Sequence, residues 1–163
     1  MAEAAEEAAL SGEVMQLVCF KLAQEEYAVD ITSVQEVIKV LRITPVPQMP
    51  PFVLGVINIR GTITPVFDMR KLFKLPEKPF DDLTKILVLK HDNTVISIVV
   101  DQILDNIKIE HSRIDPAPEV RLKIERECIY GLGEIGDRMV IVLNFGKISA
   151  VAKREIQEQA KTI

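Results

Sequence analysis

Prolines and glycines cut this chain into apolar runs too short to be anything but strands. Four prolines fall in TPVPQMPP, residues 44–51, two in KLPEKPFDDL, residues 74–83, and two in DPAP, residues 115–118. Proline fixes φ and has no amide to donate, so none of these stretches is a helix interior or a central strand. They read as connectors, with 74–83 the best linker in the chain because it also carries alternating charge. The spacing of Pro47 and Pro50 matches a PxxP ligand as well, but a rigid connector packed on the domain is the simpler reading.

Between the connectors the runs are rich in Val and Ile, which suit a pleated, half-buried surface. Val14–Leu22 and Tyr27–Asp30 flank the polar turn Gln24-Glu25-Glu26. Ile31, Val34, Val37 and Ile38 then recur at helical spacing and predict a helical turn. Val53–Ile59 and Thr62–Phe67 flank Arg60-Gly61, where glycine tolerates the positive φ of a tight turn. Met69, Leu72 and Phe73 suggest one helical turn. After the linker come Ile86–Lys90, a turn at 91–94, Val95–Val100, and a continuation through Ile103, Ile107 and Ile109. Ile129 and Met139–Leu143 flank a Gly-rich hairpin, and Ile148, Val151, Ile156, Ala160 and Ile163 form an apolar stripe on a C-terminal helix.

The order strand, polar turn, strand, Val-Asp occurs twice, at Val29-Asp30 and at Val100-Asp101. Gly55 and Gly131 match at an offset of 76. The expectation is an all-β fold of two similar lobes, about 14–75 and about 83–150, each closed as a small barrel so that no long edge is left exposed. Residues 1–13, Ala/Glu-rich with little to bury, read as a flexible tail, and 151–163 as a C-terminal helix.

Most catalytic and ligand classes find no support. The net charge of −4 argues against nucleic acid, which needs a basic footprint. No apolar run approaches the ~18 residues of a membrane span. The acidic start MAEAAEEAAL is unlike a signal peptide, so a cytoplasmic protein without membrane insertion is expected. Cys19 and Cys128 each sit in an apolar run and read as reduced core thiols. His91 and His111 lie in polar connections without ligand-spaced partners, so no metal is expected. Asp81-Asp82 falls in the linker and reads as a solvated pair. Gly131-Leu-Gly133-Glu-Ile-Gly136 is a literal GxGxxG, yet the residues after it, Met139–Leu143, read as a strand where a phosphate-binding loop must open a helix. No cofactor and no enzyme activity are expected.

What stands out instead is GVINIRGTITPVFDMR, residues 55–70, which sets Asn58 and Arg60 beside a hairpin turn. A guanidinium there suits a carboxylate on a partner. EEYAVDITSVQEVI, PVPQMPPFVLGVINIRGTITPVFDMRKLF, IVVDQILDNI, IDPAPEV and YGLGEIGDRMVIVLN together resemble the chemotaxis coupling protein family CheW, in order over roughly residues 16–150. That resemblance implies two SH3-like five-stranded barrels. It implies an adaptor that joins the cytoplasmic tips of methyl-accepting chemoreceptors to the regulatory domain of the histidine kinase CheA. By resemblance, Val34, Glu36, Arg60, Val100, Ile103 and Gly131 belong to a receptor-binding groove between lobes. Gly55, Asn58 and Gly61 belong to a kinase-facing hairpin, and Glu119 and Val120 to a second kinase contact. A detached kinase regulatory domain, or a scaffold for another sensor, is the alternative in the same class. A nucleotide-binding enzyme would rest on GLGEIG alone.

Overall fold

The computed structural model describes residues 13–116 and 126–161. Eleven strands run in chain order as β1 (Val14–Leu22), β2 (Glu25–Asp30), β3 (Val34–Lys39), β4 (Val53–Ile59), β5 (Thr62–Asp68), β6 (Lys85–His91), β7 (Thr94–Val100), β8 (Gln102–Glu110), β9 (Ile114–Asp115), β10 (Ile129–Ile135) and β11 (Arg138–Leu143). Among the described residues two α-helices, α1 (Met69–Leu72) and α2 (Phe145–Lys161), follow β5 and β11. The predominantly β character and the turns match the sequence reading. The C-terminal helix starts at Phe145 rather than 151 because Asn144 caps it, its Oδ1 accepting from Lys147 N at 3.2 Å. Ile148 and Val151 of the expected stripe are buried, whereas Ile163 and the tail 1–12 lie outside the described residues.

The strands form a six-stranded sheet, β8-β1-β2-β11-β10-β9, and a five-stranded sheet, β3-β6-β7-β5-β4. The lobes therefore do not divide at residues 74–83. Hairpin β1–β2 leaves the first half of the chain to pair with β8 and, in parallel, with β11. Hairpin β6–β7 leaves the second half to pair with β3 and, in parallel, with β5. The repeat is genuine, but each copy lends its leading hairpin to the other's sheet. A strand pattern records which faces are buried and not which neighbour is paired, so the exchange is invisible in the sequence.

The exchange explains the apolar runs. Leu17, Cys19, Ala28, Val140 and Val142 fill the six-stranded lobe, and Ile57, Val66, Ile86, Val88 and Val99 fill the five-stranded one. A third and larger cluster lies between the sheets and draws on both, with Val18, Phe20, Leu22, Phe67, Leu87, Leu89, Ile98, Val100 and Ile148 among its members. Strands β1 and β7 thus bury both faces and lose the polar alternation of a half-exposed strand.

Each sheet closes by bringing the chain beyond one edge strand to the opposite edge. After β3, Thr44 exchanges two 2.9 Å backbone hydrogen bonds with Val56 of β4. After β8, Ile114 and Asp115 pair with Gly133 and Leu132 of β10. A glycine sits at each closure: a Cβ on Gly55 would lie 2.1 Å from Thr44 O, and one on Gly131 would lie 2.7 Å from Asp115 O. Residues 31–33 form the expected helical turn, but Val34–Lys39 is strand. A β-bulge between Val34 and Glu36 sets Val34 opposite Leu89 and Val37 opposite Leu87, so these two residues three apart share one face. That bulge, and no helix, produces their i, i+3 spacing.

Where β7 crosses into β8, Asp101 ties the two halves together. Its carboxylate accepts Arg70 Nε at 2.8 Å and Ala23 N at 2.8 Å, and pairs with Arg70 Nη2. Its own amide donates to Lys21 O at 2.9 Å. Arg70, only 7% exposed, also donates to Pro76 O at 2.6 Å. We expect Asp101→Ala to lower the urea-unfolding free energy by about 3–5 kcal/mol, because it strands a buried guanidinium. The hydroxyl of Ser97, fully buried in the five-stranded lobe, has no hydrogen-bond partner among the described residues. Ser97→Ala is therefore expected to be neutral or to raise the melting temperature, and a clear loss of stability would show that the hydroxyl is satisfied after all.

Candidate functional site

The candidate site is built on the β4–β5 hairpin of the five-stranded sheet. Arg60 and Gly61 both adopt positive φ, +51° and +87°, the signature of a type I′ turn whose twist suits flanking strands. Asn58 Oδ1 accepts Gly61 N at 2.8 Å and fixes the turn. Asn58 is thus engaged in holding the loop that presents Arg60. The guanidinium reaches β3 and donates to both Glu36 oxygens, at 3.0 and 3.4 Å.

This pair is lopsided. The Arg60 side chain is 79% exposed and that of Glu36 only 19%. An exposed ion pair of this kind is worth about 0.2–1 kcal/mol. Exposed apolar side chains lie on the adjoining strands, Val37 on the face of β3 opposite that of Glu36. Val37 is 43% exposed on β3, and Ile63 is 61% exposed on β5. A shallow cleft of about 230 Å³ at the hairpin is lined by Gln35, Thr62 and Lys90 among others.

The expected residues separate into groups. Glu36 and Arg60 meet directly, and Asn58 and Gly61 share their hairpin. Val34 and Ile103 are half-buried against the inter-sheet core, one on β3 and the other on β8. Val100 is fully buried, and Gly55 and Gly131 are buried at the two closures, so none of these three has a side-chain surface to offer a partner. Their contribution is to the shape of the site. Glu119 and Val120 lie outside the described residues. Val37 and Ile63 were not singled out from the sequence. Val37 carried a signal in its spacing from Val34, which reads as helix until the bulge is known.

The second lobe carries an acid–arginine cluster of its own, with the arginine at the start of a strand rather than in the turn. Register places Cys19 opposite Ala28 and Val88 opposite Ser97, an offset of 69 residues for both partners, which carries Val34 to Ile103 and Glu36 to Asp105. The same offset shows that Asp101 corresponds to Thr32, so the two Val-Asp pairs are not structural counterparts. Arg138, at the start of β11, holds Asp105 at 2.8 and 2.9 Å and Glu26 at 2.7 and 3.0 Å. Its side chain is 32% exposed, less than half the value for Arg60. Hydrogen bonding from Arg138 holds the Asp105 carboxyl below its ordinary 3.8. Burial, and next the charge of Asp105, push the Cys19 thiol up to about 11, so it is a neutral core group at physiological pH.

The GxGxxG segment is the β10–β11 hairpin. Gly131 and Gly133 lie in β10, Gly136 turns with φ +58°, and a strand follows. Among the described residues no group of His, Cys, Asp and Glu is arranged to hold a metal ion. No helix among them is long and apolar enough to cross a membrane.

Because the folded Asp105 value is depressed, its pairing stabilises the fold above the ordinary value of 3.8 and is lost as pH falls below it. We expect Arg138→Ala to lower the melting temperature at pH 7 more than Arg60→Ala, with the gap narrowing below pH 3.8. Equal effects at neutral pH would show that the second pair is as loose as the first.

Comparison with known proteins fits this arrangement along nearly the whole chain. The CheW-like domain model matches residues 16–153. The chemotaxis protein CheW of Klebsiella aerogenes is 36% identical over 141 residues, covering 85% of each chain. That of Helicobacter pylori is 35% identical over 136 residues, covering 83% of this chain and 82% of the relative. The crystal structure of the scaffolding protein TtCheW from Thermoanaerobacter tengcongensis superimposes with a TM-score of 0.75 at 32% identity, over 81% of this chain and 85% of that one. Its fold is the same SH3-like, two-lobed one. This chain, with both lobes and their exchanged hairpins, belongs to the CheW-like domain family.

Proposed function

We propose that this chain is a non-enzymatic adaptor of bacterial chemotaxis, working in the cytoplasm. It couples methyl-accepting chemoreceptors to the histidine kinase CheA and helps to build their array. The observation that carries this reading is the exposed Arg60 guanidinium on a lobe that also exposes Val37 of β3, in a chain that matches CheW proteins over both lobes.

The receptor surface comprises Val34, Val37, Glu36 and Arg60, with Ile103 on the second lobe. The kinase-facing surface is the hairpin that Gly55, Asn58 and Gly61 shape, with a second contact at Glu119 and Val120. A partner carboxylate can replace Glu36 on Arg60 at little cost, because an exposed pair contributes under about 1 kcal/mol. A receptor helix would lay apolar residues against Val34 and Val37. Individual contacts of this kind are weak, and repeated copies in an array raise the effective concentration without new contacts.

We expect Arg60→Glu to weaken partner binding by about 2–5 kcal/mol, through reversal of a paired charge. It should change folding stability by less than ~1 kcal/mol. Val37→Lys should damage receptor binding more than kinase binding, since an ammonium would be desolvated in an apolar contact. Co-sedimentation with a receptor cytoplasmic fragment and with the kinase, beside a thermal melt, reads all of these. Unchanged affinity for both partners in Arg60→Glu would remove the hairpin tip from the site. Equal losses in Val37→Lys would mean that the two surfaces are one.

A further inference from the structure

The two halves of the chain, residues 14–73 and 84–161, are built as complementary partners. Each half has the same parts in the same order: a leading hairpin, a crossing strand, a closing hairpin and a helix. Neither sheet can be completed within a half. The six-stranded sheet needs β1 and β2 from the first half, and the five-stranded sheet needs β6 and β7 from the second. Four strand pairings cross between halves: β1 with β8, β2 with β11, β3 with β6 and β5 with β7. The central apolar cluster and the pair of Arg70 with Asp101 cross as well.

The covalent link between the halves is slight by comparison. Residues 74–83 form no strand or helix and are mostly exposed. Their side-chain ion pairs, Lys71 with Glu77 and Lys78 with Asp81, stay within the connector or reach only the first half.

From this reciprocity we propose that a second copy of this chain is a binding partner through its halves: the first half of one copy closes with the second half of another. The product is a dimer of two complete folds joined by two connectors. Every contact between the halves recurs in it, so the energetic difference is confined to the connector, as in domain swapping. A short flexible tether gives the halves of one chain an effective concentration on the order of 1 mM. The closed monomer therefore dominates in dilute solution, and exchange competes when chains fold together near that concentration.

Register supplies a direct test. Gln16 of β1 lies opposite Lys108 of β8, both exposed and from different halves. Lys39 of β3 and Lys85 of β6 form a similar pair in the other sheet. Full-length Gln16→Cys and Lys108→Cys chains are mixed, unfolded in reductant, refolded together near 1 mM, and oxidised. A disulfide-linked species of twice the monomer mass with an unaltered circular dichroism spectrum is expected. None is expected when the same two chains are mixed already folded. Lys39→Cys with Lys85→Cys should behave alike. A chain bearing both cysteines of a pair is the control and should close within itself. Closure in that control without any inter-chain disulfide from either refolded mixture would overturn the proposal. Failure of closure in both controls would overturn the strand register on which it rests.

Discussion

One carboxylate holds the seam on which this fold depends. Asp101 touches the turn between β1 and β2, the helix after β5 and, through Arg70, the start of the connector. These are the places where the exchanged hairpins meet the sheets they have left. Removing two charges from water is expensive, and the pair is net favourable only when its remaining hydrogen bonds are met. Here they are met by backbone groups, Ala23 N on the acid and Pro76 O on the arginine. The counterpart position in the other half holds Thr32 in place of Asp101, and Gly146 in place of Arg70. The two sides of the seam are therefore unequal, one bolted and one merely packed.

The exchange of hairpins also decides how stability is shared. The apolar cluster between the sheets takes Phe20 and Leu22 from one exchanged hairpin and Leu87, Leu89 and Ile98 from the other. Neither lobe can loosen without opening a core that belongs to both. A single cooperative transition is the natural consequence, with no stable state that keeps one barrel and loses the other. For an adaptor this has a mechanical meaning. The Arg60 hairpin on one sheet and Ile103 on the other keep a fixed relation, so a displacement imposed at one surface is carried to the other as a rigid-body movement.

Much of this was legible in the sequence. Runs rich in Val and Ile gave the strands, polar and glycine turns gave the hairpins, and the strand after GLGEIG disposed of the phosphate-loop reading. Sequence alone matches the Arg60 guanidinium to a carboxylate on a partner, whereas in the fold it meets Glu36 of the same chain. What was hidden is of one kind. A period of two tells that a strand is buried and says nothing of its neighbour, so the sequence suggests a division at 74–83 that the sheets in fact cross. A bulge shifts the phase by one residue, so Val34 and Val37 imitate a helix. Val100 and Gly131 belong to a receptor-binding groove by resemblance, and in the fold both are buried. The locked pair of Arg138 with Asp105 needed the offset of 69, which only the register supplies.

The order of the strands along the chain bears on how the protein is made. Synthesis delivers β1 and β2 first, yet their partners β8 and β11 end at residues 110 and 143. The five-stranded sheet spans residues 34–100 and has all its members once β7 has left the ribosome. The earliest hairpin thus waits with its β1 edge open until β8 is complete at residue 110, and with its β2 edge open until β11 emerges almost last. At the usual ~5–20 residues per second, that interval lasts from about six to more than twenty seconds. Edge charges on the waiting hairpin, Lys21, Glu25 and Glu26, stand where they discourage its pairing with a neighbouring nascent chain.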